Sequence, residues 1–588
     1  MKNYIGLATS PHDPAMAIVN RHGEVIYAEG AERRLQSKRA WGNPPDHANY
    51  IEDLVAQYCD RDLDTVVGVS WPRYMAIGTA VVLGVVGHKL RRAKQQERKF
   101  LSTLRLGLLT HRSMQKCATA GLEMALADTN TRLRRRYFSH HLTHAAAAAY
   151  ASPYDSGLCV VMDGLGESGS IGAYEYREGK LKKIKGVKAF PASLGVFYSL
   201  LCDICGFDSM KGEEWKLMGL AAYGKFDQRL YDLIRPLIFV DGLTLKNGKN
   251  SDKHFQELNS MRRKPNQPAR QYADFAATAQ MVFTETVHQL LNNIYRLGIS
   301  DTLILSGGCA LNSSTNGTIL QNTPFKELYV NSAPADDGNA VGAAYLAFLE
   351  DNPGARQKKA EVLTPYLGGK MKQSGVDRLR KYCGFRCEVL DDASLCSAVA
   401  AAFADGKIVG WAQGRAEFGP RALGNRSILA DPRDMGVKER INAEVKFREE
   451  FRPFAPSILH ECGGEYFENY QFSPYMERTL KFTQFGRARV PGVVHVDGTG
   501  RLQSVTEQIS PRYYRLIRSF YELTGVPVLL NTSFNVMGKP IVDSVEDAVA
   551  VFQTSGLDLL VLEDMVFIKD PDYELPIGAR EEQAAVLS

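Results

Sequence analysis

The sequence predicts an α/β protein of two domains, and three observations lead there. The chain has 588 residues, whereas a single hydrophobic core stops growing near about 250. One outline of three short apolar strands occurs twice in its first third. A polar break, Asp351-Asn352-Pro353-Gly354-Ala355-Arg356-Gln357-Lys358-Lys359, separates an alanine-rich helix from a fresh strand and helix pattern. The domains are therefore drawn as 1–355 and 356–588.

The first copy of the outline is Tyr4–Ala8, Ala15–Val19 and Val25–Ala28, interrupted by Ser-Pro-His-Asp and Asn-Arg-His-Gly-Glu. Such interruptions are turn chemistry, so the segment reads as a strand meander. The second copy is Gly157–Gly164, Gly172–Tyr176 and Leu181–Ile184. Two such lobes, each followed by helices, are the outline of the actin-like ATPases, whose lobes face each other across a nucleotide cleft. Past the break, Lys407–Trp411 and Val526–Leu530 read as buried strands and Ala393–Ala404 as an apolar helix, which makes a separate α/β unit.

Composition narrows the class. Hydrophobic residues are 45% and charged residues 23%, with 51 Gly and 25 Pro, values of a soluble globular enzyme and not of a disordered or collagenous chain. The 71 basic and 66 acidic residues leave a net charge of +5, so no chain-wide nucleic-acid footprint exists and no nucleic-acid partner is expected. The 10 cysteines lack the regular spacing of a disulfide framework, and nothing at the N-terminus directs export, so the expected compartment is the cytoplasm. The close pairs Cys202 with Cys205 and Cys383 with Cys387 sit among Ile204, Phe207 and Phe385 and read as core. The apolar run Met75–Gly87 has about 13 residues where a membrane span needs about 20. The basic stretch His88–Lys99 after it opens an insertion at about 75–124. Three readings fit this stretch: a solvated helix face, a contact with an anionic membrane, or a cover over a phosphorylated ligand.

Candidate chemistry begins with His140-His141-Leu142-Thr143-His144. His140 and His144 are four apart, on one face of a helix, and close enough to share a metal. The glutamate of a zinc protease is missing between them. Asp163 ends an apolar strand before Gly164-Leu165-Gly166, where backbone N–H groups suit a phosphate. Asp336 occupies a turn that feeds a small-residue helix. Two imidazoles with one or two carboxylates suit Fe, Mn or Zn better than an all-oxygen magnesium site. Gly307-Gly308 opens a helix on which Asn312 and Asn316 face one way, a place for a nucleotide. In the second domain Arg415, Arg421, Arg426, Lys446, Arg448, Arg452 and Arg501 stand among glycines and prolines. Rigid backbone beside arginine makes an anion clamp, with room for a nucleotide triphosphate and a small acyl phosphate. Leu530–Asn535 adds amide and hydroxyl donors.

Taken together, Ser10-Pro11-His12-Asp13, the His140–His144 run, Met162-Asp163-Gly164, Lys216–Ala221, Gly307–Asn312 and Gly419–Gly424 closely resemble the O-carbamoyltransferases of the NodU/CmcH type, which decorate antibiotics and other natural products. The resemblance covers nearly the whole chain. It implies a TsaD-like first domain of the actin-like ATPase (ASKHA) fold and a YrdC-like α/β second domain. It implies carbamoyl phosphate, ATP with Mg, and a hydroxylated natural product as small-molecule substrates. It also implies that Fe(II) or another divalent transition metal is held by His140, His144, Asp163 and Asp336. Nucleotide contacts would fall to Lys38, Arg39, Gly164, Lys216, Gly307, Gly308, Asn312, Arg415 and Arg421. Carbamoyl phosphate would meet Lys446, Arg452, Arg501 and Asn531. His12, helped by Asp13, would be the general base. A homodimer is compatible with all of this.

Other classes fit less well. A threonylcarbamoyl enzyme acting on tRNA calls for a more basic surface. A hydrogenase-maturation carbamoyltransferase adds a four-cysteine array that this chain lacks. A non-catalytic sugar-kinase-like regulator needs no anion clamp beside a metal site. The chain departs from the resembled pattern at Gly30-Ala31-Glu32-Arg33-Arg34 and in the long basic insertion, which is expected to shape the acceptor pocket.

Overall fold

In the computed structural model, the described residues are 2–75, 83, 86, 88, 95–355, 363–449 and 451–577. The first lobe's strands are β1 (Asn3–Ala8), β2 (Ala15–Val19), β3 (Val25–Gly30), β4 (Thr65–Ser70) and β5 (Leu133–Phe138). They form one sheet in the order β3-β2-β1-β4-β5. β2 is antiparallel to both of its neighbours, while β1, β4 and β5 run parallel. Every residue of β1, β2 and β4 is buried, as expected of central strands covered on both faces.

The second lobe repeats this plan. Its strands are β6 (Ser156–Gly166), β7 (Gly169–Arg177), β8 (Lys180–Lys183), β9 (Thr302–Ser306) and β10 (Glu327–Val330), in the order β10-β9-β6-β7-β8. Pairing directions match the first lobe strand for strand. This is the duplicated architecture of the actin-like ATPase fold.

Helix α1 (His140–Ala151) follows β5 but packs on β6 and β9 of the other lobe. Helix α2 (Asn339–Asp351) follows β10 but packs on β1, β2 and β4 of the first lobe, and α1 and α2 pack on each other. The alanine run Ala145–Ala149, wholly buried, has the small side chains that this close crossing needs. So do Gly6 on β1 and Gly68 on β4, where a Cβ would collide with the carbonyl oxygens of Ala340 and Ala343. Gly6→Ala is therefore expected to cost about 1–3 kcal/mol of folding stability, read as a lower midpoint in chemical denaturation. An unchanged midpoint would mean that α2 is free to move away from β1.

The second domain is a nine-stranded mixed sheet. Its strands are β11 (Arg386–Val389), β12 (Val409–Ala412), β13 (Arg426–Ala430), β14 (Ala455–Leu459), β15 (Arg478–Lys481), β16 (Thr499–Val505), β17 (Val528–Ser533), β18 (Leu559–Leu562) and β19 (Met565–Ile568). Their order is β11-β19-β18-β12-β13-β17-β14-β16-β15. The helix expected at Ala393–Ala404 is Asp392–Ala404, with Asp391 accepting the Ala393 and Ser394 N–H groups as its cap. The two sequence-read strands are both present, shifted one to three residues toward the C-terminus.

The two domains share a core. Leu363, Tyr366 and Leu367, together with Phe418, Leu423, Ala455, Tyr475 and Met476 of the second domain, join the alanine cluster between α1 and α2. Residues 356–359 of the polar break lie outside the described residues, as does most of the apolar run of the insertion. The insertion's described part includes the helix Gln95–Cys117. Among the described residues no helix is long and apolar enough to cross a membrane. All ten cysteines are free thiols. Cys202 and Cys205 lie in the second lobe's core, where burial pushes both thiols above their usual range.

Candidate functional site

Two separate clusters of side chains gather the chemistry. The first lies where α1, the end of β6 and the turn before α2 converge. His140 and His144 project from the first turns of α1, Asp163 from β6, and Asp336 from the short turn Asp336–Gly338. All four are buried, and their ligand atoms lie within 4.8 Å of one another. His140 Nε2 is 3.0 Å from Asp163 Oδ2 and 3.5 Å from Asp336 Oδ1. His144 Nε2 is 3.7 Å and 3.3 Å from the same two oxygens.

Local structure fixes each donor. The His140 N–H, exposed at the start of α1, donates to Glu167 Oε2 at 3.1 Å, and Ser139 Oγ donates to the same carboxylate. Gly308 N–H donates to Asp163 Oδ1 at 3.1 Å, which leaves Oδ2 facing the imidazoles. Trp71, at the end of β4, stacks on His140 with centroids 4.1 Å apart and planes at 20°. It does so from a left-handed backbone at φ 84°, a strain that costs about 1–3 kcal/mol and is typical of functional positions. The Asn339 amide nitrogen lies 3.3 Å from His140 Nδ1 and 3.1 Å from His144 Nε2, with its carbonyl oxygen accepting from Thr143 Oγ1 at 2.9 Å.

The charges are balanced for a cation. Burial opposes the imidazolium of His144, yet Asp163 and Asp336 hold its pKa up, to about 10. Burial would likewise raise Asp163, but the two imidazoles keep its carboxyl well below the usual range. Two carboxylates facing two imidazoles across one point are a donor set that fits a divalent transition metal.

His12 and Asp13 follow β1. His12 Nδ1 is 2.9 Å from Asp13 Oδ2, and Arg39 holds Asp13 through Nη2 at 2.8 Å and Nε at 3.2 Å. Burial alone would raise the Asp13 carboxyl; Arg39 and His12 reverse this and hold it far down. Two residues before His12, Ser10 Oγ accepts the Trp71 indole N–H at 3.2 Å, and Trp71 stacks on His140, so the turn after β1 reaches the metal-type cluster.

The second cluster lies in the second domain, around the middle of the sheet. Arg421 precedes β13, Lys446 ends the helical turn Ile441–Lys446, Arg448 and Arg452 follow it, Arg501 is on β16 and Asn531 on β17. Burial depresses every one of these cations, Arg421 and Arg452 to about 10, with Lys446, Arg448 and Arg501 lowered well below their usual values. They also repel one another: Arg421, Arg448 and Arg452 all act on Arg501. The Arg448 Nη2, Arg452 Nε and Arg501 Nε atoms are buried without a hydrogen-bond partner, as is Asn531 Oδ1. Lys446 Nζ does have partners, including Asn535 Oδ1 at 2.8 Å and the Ser533 carbonyl. The Asn531 amide nitrogen is held by Gln503 Oε1 at 3.0 Å and Ser457 Oγ at 3.1 Å. A cavity of about 320 Å³ between the domains is bounded by Met218, Gln280 and Ser313 on one side and Phe454, His495 and Arg501 on the other.

The structure thus brings together His140, His144, Asp163 and Asp336, with His12, Asp13 and Arg39 beside them, and separately Arg421, Lys446, Arg452, Arg501 and Asn531. Other expected residues are engaged differently. Lys38 is half exposed and pairs with Glu32 at 3.3 Å. Arg415 donates to the carbonyls of Leu367 and Gly368, pinning the chain that joins the domains. Lys216 pairs with Glu213 at 2.8 Å and Glu449 at 3.0 Å. Gly164 is part of the bulged end of β6 rather than of an open turn, and its carbonyl accepts from Ser193 Oγ at 2.6 Å. Gly307, at φ 92°, lies against the Met162 backbone, where any Cβ would collide. Asn312 caps the helix Ser313–Asn316 by accepting from Thr315 N–H at 3.0 Å. Asn316 turns its amide to the Ala310 and Glu477 carbonyls instead of sharing a face with Asn312.

Trp71, Glu167, Asn339, Glu449 and Trp215 escaped the sequence reading. Only Asn339 carried a signal, standing at the start of the small-residue helix three residues after Asp336.

Known proteins resemble this chain over most of its length. Residues 3–345 match the family model described as carbamoyltransferase N-terminus, and residues 400–569 match carbamoyltransferase C-terminus. An uncharacterized protein of Synechocystis sp. is 34% identical over 97% of both chains. The nodulation protein NolO of Bradyrhizobium diazoefficiens is 35% identical, covering 74% of this chain and 79% of its own. The nodulation protein NolNO of Sinorhizobium fredii is 37% identical over 73% of this chain and 63% of its own length.

Proposed function

This chain belongs to the carbamoyltransferase family, and on that premise we propose that it is an ATP-dependent O-carbamoyltransferase with two steps at two sites. In the second, YrdC-like domain, carbamoyl phosphate, ATP and water give carbamoyl adenylate, phosphate and pyrophosphate. In the first domain an acceptor hydroxyl attacks the adenylate's carbonyl carbon and AMP leaves. The acceptor class is a hydroxylated secondary metabolite such as an antibiotic, a toxin or a Nod-factor-like molecule.

One observation carries this reading: buried Lys446 and the half-buried Arg421, Arg448, Arg452 and Arg501 of the second domain have too little negative charge among them. Among the described residues, Glu449 is the carboxylate that pairs with the clamp, through Arg452 at 3.5 Å. Clustered buried charge of one sign is costly unless an anion fills it, and the two phosphate-bearing substrates supply that anion. Asn531 Oδ1, buried without a donor, suits the amide N–H of a carbamoyl group, which phosphate alone does not offer.

In the transfer step, His12 donates its Nδ1 proton to Asp13, so Nε2 carries the lone pair that takes the acceptor's hydroxyl proton. Arg39 fixes Asp13 through Nη2 at 2.8 Å, and the same Nη2 lies 2.9 Å from His12 Nδ1, so Arg39 sets the position of the imidazole. His140, His144, Asp163 and Asp336 would hold a divalent transition metal, Fe(II) among the candidates. When bound there, the metal supplies Lewis-acid polarisation of a carbonyl. Trp71 and Asn339 keep the two imidazoles oriented. Mg accompanies the nucleotide.

His12→Ala is expected to lower transfer about 100- to 10,000-fold and to leave acceptor-independent pyrophosphate release unchanged. Equal loss of both activities would remove His12 from the role of base. The proposal as a whole is tested with ATP, carbon-labelled carbamoyl phosphate and Fe(II) in the absence of an acceptor. Labelled carbamoyl adenylate is expected. Bound ATP and metal without this product would refute the two-step reading.

A further inference from the structure

The anion clamp of the second domain is braced by the first. The helix Glu214–Ala221 of the first domain presents two neighbouring side chains to the segment that carries Arg452. Trp215 lies under the Arg452 guanidinium, whose carbon is 3.9 Å from the ring centroid. Lys216 grips Glu449 at 3.0 Å, and Glu449 in turn reaches Arg452 at 3.5 Å.

The two contacts differ in what they leave free. A carboxylate consumes N–H donors of the guanidinium, whereas an aromatic ring meets its flat face and leaves the donors in the plane available. Arg452 Nε is buried without a partner, so the edge of the fork is open while its face is held. Without the ring, a long side chain among like-charged Lys446 and Arg448 would swing away, since repulsion and rotamer entropy both favour it.

We propose that Trp215 is a positioning residue for the acyl-phosphate clamp, holding Arg452 by its face so that an anion bound in the second domain depends on a side chain of the first. The inference rests on the adenylate-forming reading above. It adds that this half-reaction is built across the domain boundary, with the helix Glu214–Ala221 also bounding the interdomain cavity through Met218.

Isothermal titration of the full chain with carbamoyl phosphate tests it. Trp215→Leu is expected to weaken binding about 10-fold, and Trp215→Tyr, which keeps an aromatic face, to remain within about 3-fold of the unaltered protein. In pyrophosphate release the leucine variant should raise KM for carbamoyl phosphate with kcat nearly unchanged, a split that general destabilisation does not produce. Trp215→Gln gives the same reading should the leucine variant not fold. Equal affinities for all of these proteins would overturn the inference while leaving the two-step reading intact. Equal weakening by Tyr and Leu would overturn it too, because an aromatic face would then not be what matters. No binding by the unaltered protein would overturn the two-step reading itself, and this inference with it.

Discussion

Replacing Asp163 with Asn is expected to abolish carbamoyl transfer, by more than about 100-fold, while pyrophosphate release from ATP and carbamoyl phosphate continues. Asp163 belongs to the first cluster alone. Its Oδ2 lies within 3.7 Å of both imidazoles, and its Oδ1 accepts the Gly308 N–H. Asparagine keeps the size and one oxygen but loses the charge that balances a cation among buried imidazoles. His140→Ala should behave alike, and metal content after purification should fall in both variants. The second cluster is assembled from different strands, with no member in common, so adenylate formation has no reason to follow. Simultaneous loss of both half-reactions in a folded Asp163→Asn protein would show that the clusters are not independent.

Arg501→Ala is expected to do the reverse. Its Nε is buried without a partner, and Arg421, Arg448 and Arg452 repel its guanidinium. Removing one partner of a desolvated charge pair costs about 2–5 kcal/mol of affinity, so adenylate formation should fall about 30-fold or more. Folding stability should move the other way. An unpaired buried cation is a burden on the empty protein, and Arg501→Ala should unfold at an unchanged or higher denaturant concentration. Adenylate formation at the original rate would remove Arg501 from the clamp. Lower stability with unchanged carbamoyl phosphate binding would make it a structural residue.

Much of the metal-type site was legible in the sequence because helix geometry is local. His140 and His144 are four apart, and that spacing alone puts them on one face of α1. Asp163 and Asp336 were visible as carboxylates at a strand end and at a helix entry. What the sequence could not show was what lies across from them. Trp71 reaches His140 through a left-handed backbone and a parallel sheet whose neighbours β1 and β4 are far apart in the chain. Similarly, Gly307 and Gly308 look like an open phosphate loop when read alone, yet in the fold one lies against Met162 and the other binds Asp163.

The duplicated lobes were readable from three apolar segments each, because a meander of neighbouring strands is also local. In the second domain only two strands stood out. Arg426–Ala430 and Ala455–Leu459 begin with arginine and carry proline, respectively, which masks them as strands. Arg426 is nevertheless buried, because its guanidinium donates to the Gln413, Gly414 and Gly369 carbonyls. Arg415, expected among the phosphates, is spent in the same way on backbone carbonyls. Sequence shows a cation; only the fold shows whether its partner is a ligand or a carbonyl.

On the proposed reading, Lys446 and the arginines around it in the second domain bind carbamoyl phosphate and ATP together and activate the carbamoyl group. Quantifying phosphate and pyrophosphate released by the unaltered protein, with both substrates and no acceptor, tests it most directly. One phosphate per pyrophosphate is expected, both dependent on carbamoyl phosphate. Phosphate release from ATP without pyrophosphate, or release of either product independent of carbamoyl phosphate, would contradict it.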